Sequence, residues 1–253
     1  MDLTGLNKDQ LSAVTRVEGP LLILAGAGSG KTRVITYRIA HMIEDLKISP
    51  YSILAITFTN KAAKEMRERV NSLIGDRAKD MWISTFHSLC VRILRRDIER
   101  IGYNRSFVIY DTQDQLSLIK ECIKECGLRE DSFKPSSVLS AISGAKDKLL
   151  NPKAFEARYF NDFRLSKISK VYDLYQRKLK SNNALDFDDL IFKTVELLKT
   201  DEFVRDFYQR KFQYVMVDEY QDTNHAQYVL INLLSEMHKN LCVVGDDDQS
   251  IYG

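Results

Sequence analysis

The sequence predicts an α/β fold in which a parallel β-sheet is flanked by helices and interrupted by an inserted all-helical subdomain. Three observations support this prediction. Five short runs are apolar throughout, helical patterns separate most of these runs, and the strand pattern nearly vanishes between residues 107 and 210. The chain has 253 residues, of which 44% are hydrophobic and 28% charged. Its length suits two compact units, and its composition is ordinary for a soluble globular protein.

The five predicted strands lack the alternation of apolar and polar residues that a half-exposed strand shows. They are LLILA (21–25), ILAIT (53–57), MWIS (81–84), YVMV (214–217) and LCVVG (241–245). Continuous apolar runs are typical of strands covered on both faces of a parallel sheet. Two amphipathic helices follow the first two strands. Their apolar residues are Val34, Ile35, Ile39, Met42, Ile43 and Leu46 in the first, and Ala63, Met66, Val70 and Leu73 in the second.

Helical periodicity dominates the middle of the chain. It runs through DTQDQLSLIKECIKECGL, SSVLSAISGAKDKLL and LSKISKVYDLYQRKLK, and Pro135 and Pro152 fit the first positions of helices. We therefore predict that residues 1–109 and 186–253 form the α/β unit, and that residues 110–185 form a helical insertion.

Composition excludes some classes of function and leaves others open. The net charge of +2 does not by itself indicate a nucleic acid partner, so such a partner must be inferred from local residues. The polar N-terminus and the lack of any run of about 20 apolar residues predict neither a signal peptide nor a membrane span. The spacing of Cys90, Cys122, Cys126 and Cys242 favours reduced thiols in the cytoplasm. A metal held by Cys122 and Cys126, one helical turn apart, is the alternative.

The stretch AGAGSGKT (25–32), between the first strand and the first amphipathic helix, predicts a phosphate-binding loop. Its glycines let the backbone wrap closely around phosphates, Lys31 would reach the β- and γ-phosphates, and the Thr32 hydroxyl would ligate Mg²⁺. Ala25 stands where the usual pattern GxxxxGKS/T has glycine, and its methyl group is small enough unless that position requires a positive φ. A glycine-rich turn with an incidental lysine is the alternative. The predicted nucleotide-binding residues here are Ala25, Gly26, Ala27, Gly28, Ser29, Gly30, Lys31 and Thr32.

Two later strands end in polar residues that would complete such a site. Asp218 and Glu219 follow the fourth strand, where Asp218 would hold Mg²⁺ and Glu219 would orient and deprotonate an attacking water. Gln249 follows the fifth strand, and its amide would contact the γ-phosphate and report its loss. Taken alone, the acidic pair is also compatible with a solvated turn, and the Gln249 segment with an acidic loop of no function.

Seven stretches in this order resemble the motifs of the superfamily 1A DNA helicases of the UvrD/Rep/PcrA type. They are LNKDQ (6–10), AGAGSGKT (25–32), ITFTNKAAKEM (56–66), ISTFHSL (83–89), LDFDDL (185–190), VDEYQDT (217–223) and GDDDQSIYG (245–253). The resemblance covers the whole chain, and alanine is common at the first loop position in that family. It implies a RecA-like sheet with the core of a P-loop NTPase, and ATP and Mg²⁺ as cofactors.

The resemblance also implies roles that the residues alone do not indicate. Gln10 would bond the adenine and Arg33 would lie against its face. The residues that would follow the path of single-stranded DNA are Phe58, Thr59, Asn60, Thr85, Phe86, His87 and Tyr252. Aromatic faces combined with phosphate contacts are the usual means of holding single strands. A place in the core is the alternative for Phe58 and Phe86, and a hydrogen-bonded structural role is the alternative for His87.

By this resemblance the parent protein would be an ATP-driven 3′-to-5′ translocase and helicase acting on single-stranded DNA and duplex junctions. The family has a second motor domain, absent here, whose arginines reach the γ-phosphate. We therefore expect this chain alone to lack useful ATPase or unwinding activity. The alternatives are a nucleotide-gated switch that binds DNA or protein, and the helicase part of a helicase–nuclease. The pathway, whether DNA repair, replication restart or plasmid replication, stays open.

Overall fold

The computed structural model describes residues 1–26 and 28–246. The helices are α1 (Lys8–Thr15), α2 (Lys31–Glu44), α3 (Asn60–Ile74), α4 (Phe86–Asp97), α5 (Thr112–Glu125), α6 (Pro135–Asp147), α7 (Pro152–Tyr159), α8 (Phe163–Ser181), α9 (Phe187–Thr200), α10 (Glu202–Lys211) and α11 (His225–Ser235). The strands are β1 (Leu21–Leu24), β2 (Ile53–Thr57), β3 (Trp82–Thr85), β4 (Val108–Ile109), β5 (Ala184–Leu185), β6 (Tyr214–Val217) and β7 (Leu241–Gly245). No helix in these described ranges is long and apolar enough to cross a membrane.

The chain divides into two compact units. The first contains residues 1–89, 202–223 and 231–253, and the second contains residues 90–201 and 224–230. The predicted helical insertion, residues 110–185, lies entirely within the second unit, which also includes most of α4 and all of α9. These additional helices contain amphipathic patterns, so periodicity alone does not assign them to one unit or the other.

The first unit is built on a five-stranded sheet with the order β1-β7-β6-β2-β3, in which every neighbouring pair is parallel. The predicted α/β fold with a parallel sheet is confirmed. On one face, α2 and α3 bury Ile39 and Met66 against strand residues such as Ala55 and Met216. On the other face, Trp82 of β3 packs edge-to-face on Phe212 with ring centroids 5.1 Å apart. The sheet therefore has helical segments on both sides, as a parallel sheet requires.

Strand β1 differs from the prediction that all five strands are covered on both faces. Its burial alternates, and Leu22 and Leu24 are 58% and 56% exposed. The other edge strand, β3, is buried at every position, so the difference lies in the face of β1 that these two leucines occupy, which no described helix covers. At the end of α2, Leu46 is also exposed, whereas the other five apolar residues predicted for that helix are buried.

The second unit is helical, with one small sheet in which β4 pairs parallel to β5. Its core joins α5, α6, α7 and α8 through residues such as Ile119, Val138, Phe155 and Tyr172. Pro135 and Pro152 occupy the first turns of α6 and α7, as predicted. The four cysteines of the chain are free.

A buried ion cluster lies in this helical unit. The Lys146 ammonium on α6 is 2.5 Å from an Asp186 carboxylate oxygen and 2.9 Å from Asp189, and all three side chains are at most 1% exposed. The Tyr175 hydroxyl donates to Asp186 at 3.0 Å, and the Gln176 amide donates to Asp189 at 3.2 Å. Asp186 also caps α9 by accepting from the Asp189 backbone N–H. This cluster ties three helices of the unit together.

Candidate functional site

The carboxyl ends of the five parallel strands gather most of the predicted site residues at one edge of the sheet. The glycine loop follows β1, Asp246 follows β7, and Asp218 follows β6. The register aligns Leu24 with Gly245 on neighbouring strands, so the segments after β1 and β7 leave the sheet at the same level. This edge is the usual ligand position in open α/β sheets.

The glycine loop ends at a helix whose first N–H groups have no side-chain cap. Gly28 and Gly30 adopt the left-handed region, with φ of 77° and 91°. Gly30 is the N-cap of α2 and offers no side-chain acceptor. Six other helices are instead capped by a side chain: α1 by Asn7, α3 by Thr59, α5 by Asp111, α7 by Asn151, α8 by Asp162 and α9 by Asp186. Like α6, α2 thus has no side-chain cap among the described residues, and its first N–H groups and its dipole favour an anion at the end of the glycine loop.

Lys31 begins α2 and is held by a carboxylate at the end of β7. Its ammonium donates to Asp246 at 2.9 Å, and the two side chains are 10% and 1% exposed. Gln221 connects this pair to the acidic segment after β6, because its amide nitrogen donates to Glu219 at 2.6 Å and its amide oxygen accepts from the Asp246 N–H at 3.1 Å. Thr32 is half-buried in the first turn of α2.

Asp218 is a buried carboxylate whose negative charge is only partly compensated. It is 6% exposed, and burial together with the neighbouring Glu219 raises its pKa to about 6. A hydrogen bond from the Glu219 N–H at 3.0 Å and the more distant charges of Lys31 and Arg69 act in the opposite direction. Among the described residues no ammonium or guanidinium lies within 4 Å of this carboxylate. A divalent cation would supply the missing positive charge.

Glu219 has a strained backbone. Its φ of 52° lies in the left-handed region, which residues other than glycine rarely adopt. Its carboxylate is half-buried and oriented by Gln221. Strain of this kind costs on the order of 1–3 kcal/mol and is concentrated at functional sites. The conformation turns the chain immediately after Asp218, into the short helical turn Tyr220–Asp222.

Gln10 and Arg33 lie beside the glycine loop. The Gln10 amide donates to the Ser29 carbonyl at 3.1 Å and accepts from the Asn7 N–H in the capping box of α1. Arg33 donates to the Gly5 carbonyl at 3.0 Å, and its guanidinium is 5.2 Å from the centroid of the Tyr37 ring. Both side chains are therefore placed next to the loop, and their contacts with adenine stay a prediction.

The residues predicted to follow a DNA strand separate into exposed and buried groups. Thr59 and Asn60 are exposed and Phe58 is half-buried after β2. Phe86 is 1% exposed and packs edge-to-face on Phe58, with ring centroids 5.3 Å apart. The Phe86 ring therefore has no free face for a base in this structure and supports Phe58 instead, in line with the core alternative.

Thr85 is buried and His87 is half-buried. Thr85 is 7% exposed, and its hydroxyl accepts from the Ser88 N–H at 3.2 Å and lies 3.0 Å from the Ser88 hydroxyl. Burial lowers the pKa of His87 to about 4, so its imidazole is neutral at physiological pH and offers no charge to a phosphate. Contacts of these two residues with DNA stay a prediction.

Three predicted site residues, Ala27, Gln249 and Tyr252, lie outside the described residues. Two residues that the sequence analysis did not select, Gln221 and Asp246, belong to the site. Gln221 stands two positions after Glu219 in VDEYQDT, and Asp246 directly follows the last strand. Because β7 lies between β1 and β6, the residues that follow β6 and β7 come close to the glycine loop after β1. No short motif encodes this strand order, so the sequence did not indicate either residue.

The fold and the site define a class of protein. A parallel sheet whose first strand leads through a glycine loop with Lys31 and Thr32 into an uncapped helix, with an acidic pair after a nearby strand, is the arrangement of α/β proteins with a phosphate-binding loop. The described residues contain no group of three or more histidine, cysteine or acidic side chains arranged to hold a metal. A Mg²⁺ ion bound through one carboxylate, one hydroxyl and phosphate oxygens does not require such a group.

Within this class the chain belongs to a particular family. Residues 6–253 match the model of the UvrD/REP helicase N-terminal domain, so the chain is a member of that family. It is 57% identical over 250 residues to the ATP-dependent DNA helicase PcrA of Bacillus subtilis, and 54% identical to the proteins of that name from Staphylococcus aureus and Staphylococcus epidermidis. These matches cover 98–99% of this chain and 34% of each relative, so the chain spans about a third of their length.

Proposed function

We propose that this chain binds ATP and Mg²⁺ at the carboxyl edge of its sheet, and that it is the N-terminal ATP-binding part of an ATP-dependent 3′-to-5′ single-stranded-DNA translocase and helicase. The observation that carries the proposal is the uncapped N-terminus of α2 beside Lys31, with the under-compensated Asp218 carboxylate at the same sheet edge. Membership of the helicase family and the names of the relatives supply the substrate class.

The described residues divide the binding task between them. The backbone N–H groups around Gly28 and Gly30 and the first turn of α2 would receive the phosphates. Lys31 would exchange its ion pair with Asp246 for the β- and γ-phosphate oxygens. Thr32 and Asp218 would hold Mg²⁺, which supplies Lewis-acid stabilisation of phosphate charge when bound. The raised pKa of Asp218 fits this role, because a carboxylate that lacks a cation within the fold gains most from an added one.

Glu219 is the residue that we assign to hydrolysis. Its carboxylate would accept a proton from the attacking water, while the Gln221 hydrogen bond fixes its position. Gln249 would contact the γ-phosphate, as the sequence predicts. In phosphoryl transfer, an arginine from a second domain is worth about 10³–10⁵ in rate. We therefore expect the 253-residue chain alone to hydrolyse ATP very slowly and not to unwind DNA.

The DNA side of the proposal rests on the edge formed by the segments after β2 and β3. Phe58, supported by Phe86, has the most suitable ring for a base, and exposed Thr59 and Asn60 would contact the backbone. In the whole protein, this edge would act together with a second motor domain at a duplex junction. A DNA substrate and four free thiols suit the cytoplasm. DNA repair is one of the pathways that such an activity would serve.

Replacement of Glu219 by Gln in the full-length protein tests the proposed chemistry. We expect nucleotide binding to persist and ATP turnover, stimulated by single-stranded DNA, to fall by about a hundredfold or more, because the general base is lost. Turnover is measured with and without a single-stranded oligonucleotide, alongside the 253-residue chain. The control is Glu236→Gln, which changes an exposed glutamate of the same unit. Turnover that is equal in the two variants would remove Glu219 from its assigned role.

A further inference from the structure

A cavity of about 470 Å³ lies within the helical unit, and the proposed function does not use it. It is formed by α8, α9, the start of α7 and the segment that contains Tyr103. None of its lining residues belongs to the glycine loop or to the acidic segments described above. Its volume is within the range of about 300–1,000 Å³ that is typical of small-molecule sites.

One side of the cavity is apolar and aromatic. Tyr103, Tyr172 and Phe192 line it together with Val195. The two tyrosines stay uncharged at physiological pH, because burial and the nearby carboxylates raise the pKa of each phenol. The Tyr172 hydroxyl donates to the Leu150 carbonyl at 3.0 Å, which fixes its ring. The Lys193 ammonium lies 5.9 Å from the centroid of the Tyr103 ring and 5.4 Å from that of the Phe192 ring, so a flat ring bound at these aromatic side chains would also contact Lys193.

The rest of the lining has more positive than negative charge available to a ligand. Its two acidic residues are already paired, Asp173 with Arg177 at 3.0 Å and Glu196 with Lys193 at 2.6 Å. Lys180 and Lys199 also line the cavity, and both are exposed. Neither has a carboxylate within 4 Å among the described residues.

One of the two lysines, Lys180, lies next to an aromatic residue of the cavity lining. Its ammonium lies 5.4 Å from the centroid of the Tyr103 ring. Asn151 and Pro152, at the N-terminal end of α7, border the same cavity, and the Asn151 side chain caps that helix. An anionic group attached to an aromatic ring would therefore meet complementary surfaces on both sides.

We propose that this cavity binds a small aromatic anion of the nucleoside monophosphate class, with the base against the Tyr103–Phe192 wall and the phosphate between Lys180 and Lys199. The ligand has two possible sources, a free mononucleotide or the 5′-terminal nucleotide of a DNA strand. Both present the same base, sugar and terminal phosphate. The site is independent of the proposed ATP site, so each can fail without the other.

Titration of the 253-residue chain with thymidine monophosphate tests this proposal. For this experiment Lys31→Ala is introduced into the chain, so that binding at the proposed ATP site does not contribute to the observed shifts. Methyl resonances of Leu149 and Val195, which line the cavity, report the location in an NMR experiment. We expect saturable shifts of these methyl groups. Lys180→Gln combined with Lys199→Gln should weaken binding roughly tenfold or more, as expected when charge-assisted hydrogen bonds to phosphate are lost.

A matched control pair is Lys120→Gln with Lys124→Gln, which removes two exposed lysines of α5 that do not line the cavity. Its affinity for thymidine monophosphate should equal that of the parent chain. Thymidine without phosphate should bind more weakly than the monophosphate to the parent chain and to the control variant, and this difference should largely disappear in the Lys180→Gln/Lys199→Gln variant. Equal losses in the two double variants, equal affinities of the parent chain for thymidine and its monophosphate, or an absence of shifts at Leu149 and Val195 would each overturn the proposal.

Oligothymidylates of eight nucleotides, with and without a 5′-phosphate, distinguish the two sources. If the 5′-phosphorylated strand shifts the same methyl groups and competes with the mononucleotide, the site accepts a strand end. If only the mononucleotide does so, the site serves a free nucleotide. Both results support the cavity as a nucleotide site. Binding of the 5′-hydroxyl strand with the same affinity and the same shifts would contradict recognition of a terminal phosphate.

Discussion

The two units each contain a lysine near aspartates. The two clusters differ in how fully their charges are paired within the fold, and this difference separates a cluster that holds helices together from one that suits a ligand. In the helical unit, Lys146 contacts both Asp186 and Asp189 and is 1% exposed. In the α/β unit, Lys31 is 10% exposed and contacts one carboxylate, Asp246. The acids after β6 have no ion pair of their own among the described residues. The first cluster is complete within the fold, and the second is not.

Whether a buried charge has enough partners within the fold matters, because such a charge is stable only when these partners replace the water that hydrated it. A buried ion pair with further hydrogen bonds maintains a fixed arrangement, although its net contribution to stability is small. In the Lys146 cluster, Tyr175 and Gln176 supply these additional bonds. At the sheet edge, no described side chain accepts from the first N–H groups of α2, and the Asp218 carboxylate has a hydrogen bond from the Glu219 N–H but no cation within 4 Å among the described residues. An unfinished set of donors and acceptors, held by a rigid sheet, indicates a ligand.

The largest expected effect separates the two clusters by stability. Lys146→Met leaves two buried aspartates without their cation and should lower the free energy of unfolding by about 3–5 kcal/mol. The matched control is Lys178→Met, because Lys178 also contacts two carboxylates, Glu121 and Glu125, but on the surface. There the loss should be much smaller, since water solvates the remaining acids. Denaturant unfolding of both variants measures this, and similar losses would contradict the contrast.

A smaller effect is expected at Asp218, and it has the opposite sign. Because burial and Glu219 raise the pKa of this carboxyl to about 6, from an ordinary value near 3.8, its ionised form destabilises the fold above pH 6. Asp218→Asn should therefore increase stability at pH 8 by on the order of 2 kcal/mol, and the gain should disappear as the pH falls from 6 towards 4. The control is Asp222→Asn, an exposed acid four residues later.

The pH dependence of the difference between these two variants is the decisive quantity, since other carboxylates titrate equally in both. Unfolding free energies are compared at pH 8, 6 and 4.5. A gain that is absent at pH 8, or that grows on acidification, would show that Asp218 is compensated within the fold. Asp218 would then resemble the aspartates of the Lys146 cluster rather than a carboxylate that needs an added cation.

Much of the α/β unit could be predicted from sequence because its signals are local. Ile53–Thr57, Tyr214–Val217 and Leu241–Gly245 are strands with the predicted bounds, and α3 contains the four apolar residues predicted for the second amphipathic helix. Apolar runs and helical spacing record burial directly, so these elements can be located without knowledge of the tertiary structure. The glycine loop could also be located from the sequence, because its pattern lies in consecutive residues.

What could not be predicted depends on contacts between distant segments. The pairing of Lys31 with Asp246 requires that β7 lies beside β1, and the cluster of Lys146 with Asp186 requires the packing of α6 on α9. LDFDDL contributed only to a family resemblance in the sequence, whereas in the structure Asp186 caps a helix and contacts a buried lysine together with Asp189. The sequence left two positions open for Phe86, the DNA path and the core, because residues that follow a strand can turn either way, and the structure buries it.

The central claim is that Lys31, Thr32 and Asp218 form one Mg²⁺- and triphosphate-binding site, and calorimetry tests it most directly. The non-hydrolysable analogue adenylyl imidodiphosphate is titrated into the 253-residue chain, its Lys31→Ala variant and the control Lys61→Ala, whose side chain is 86% exposed. We predict weak binding that requires Mg²⁺, is unchanged in the control, and falls at least about tenfold in Lys31→Ala. Equal affinity in all three proteins, or binding that is indifferent to Mg²⁺, would contradict the account.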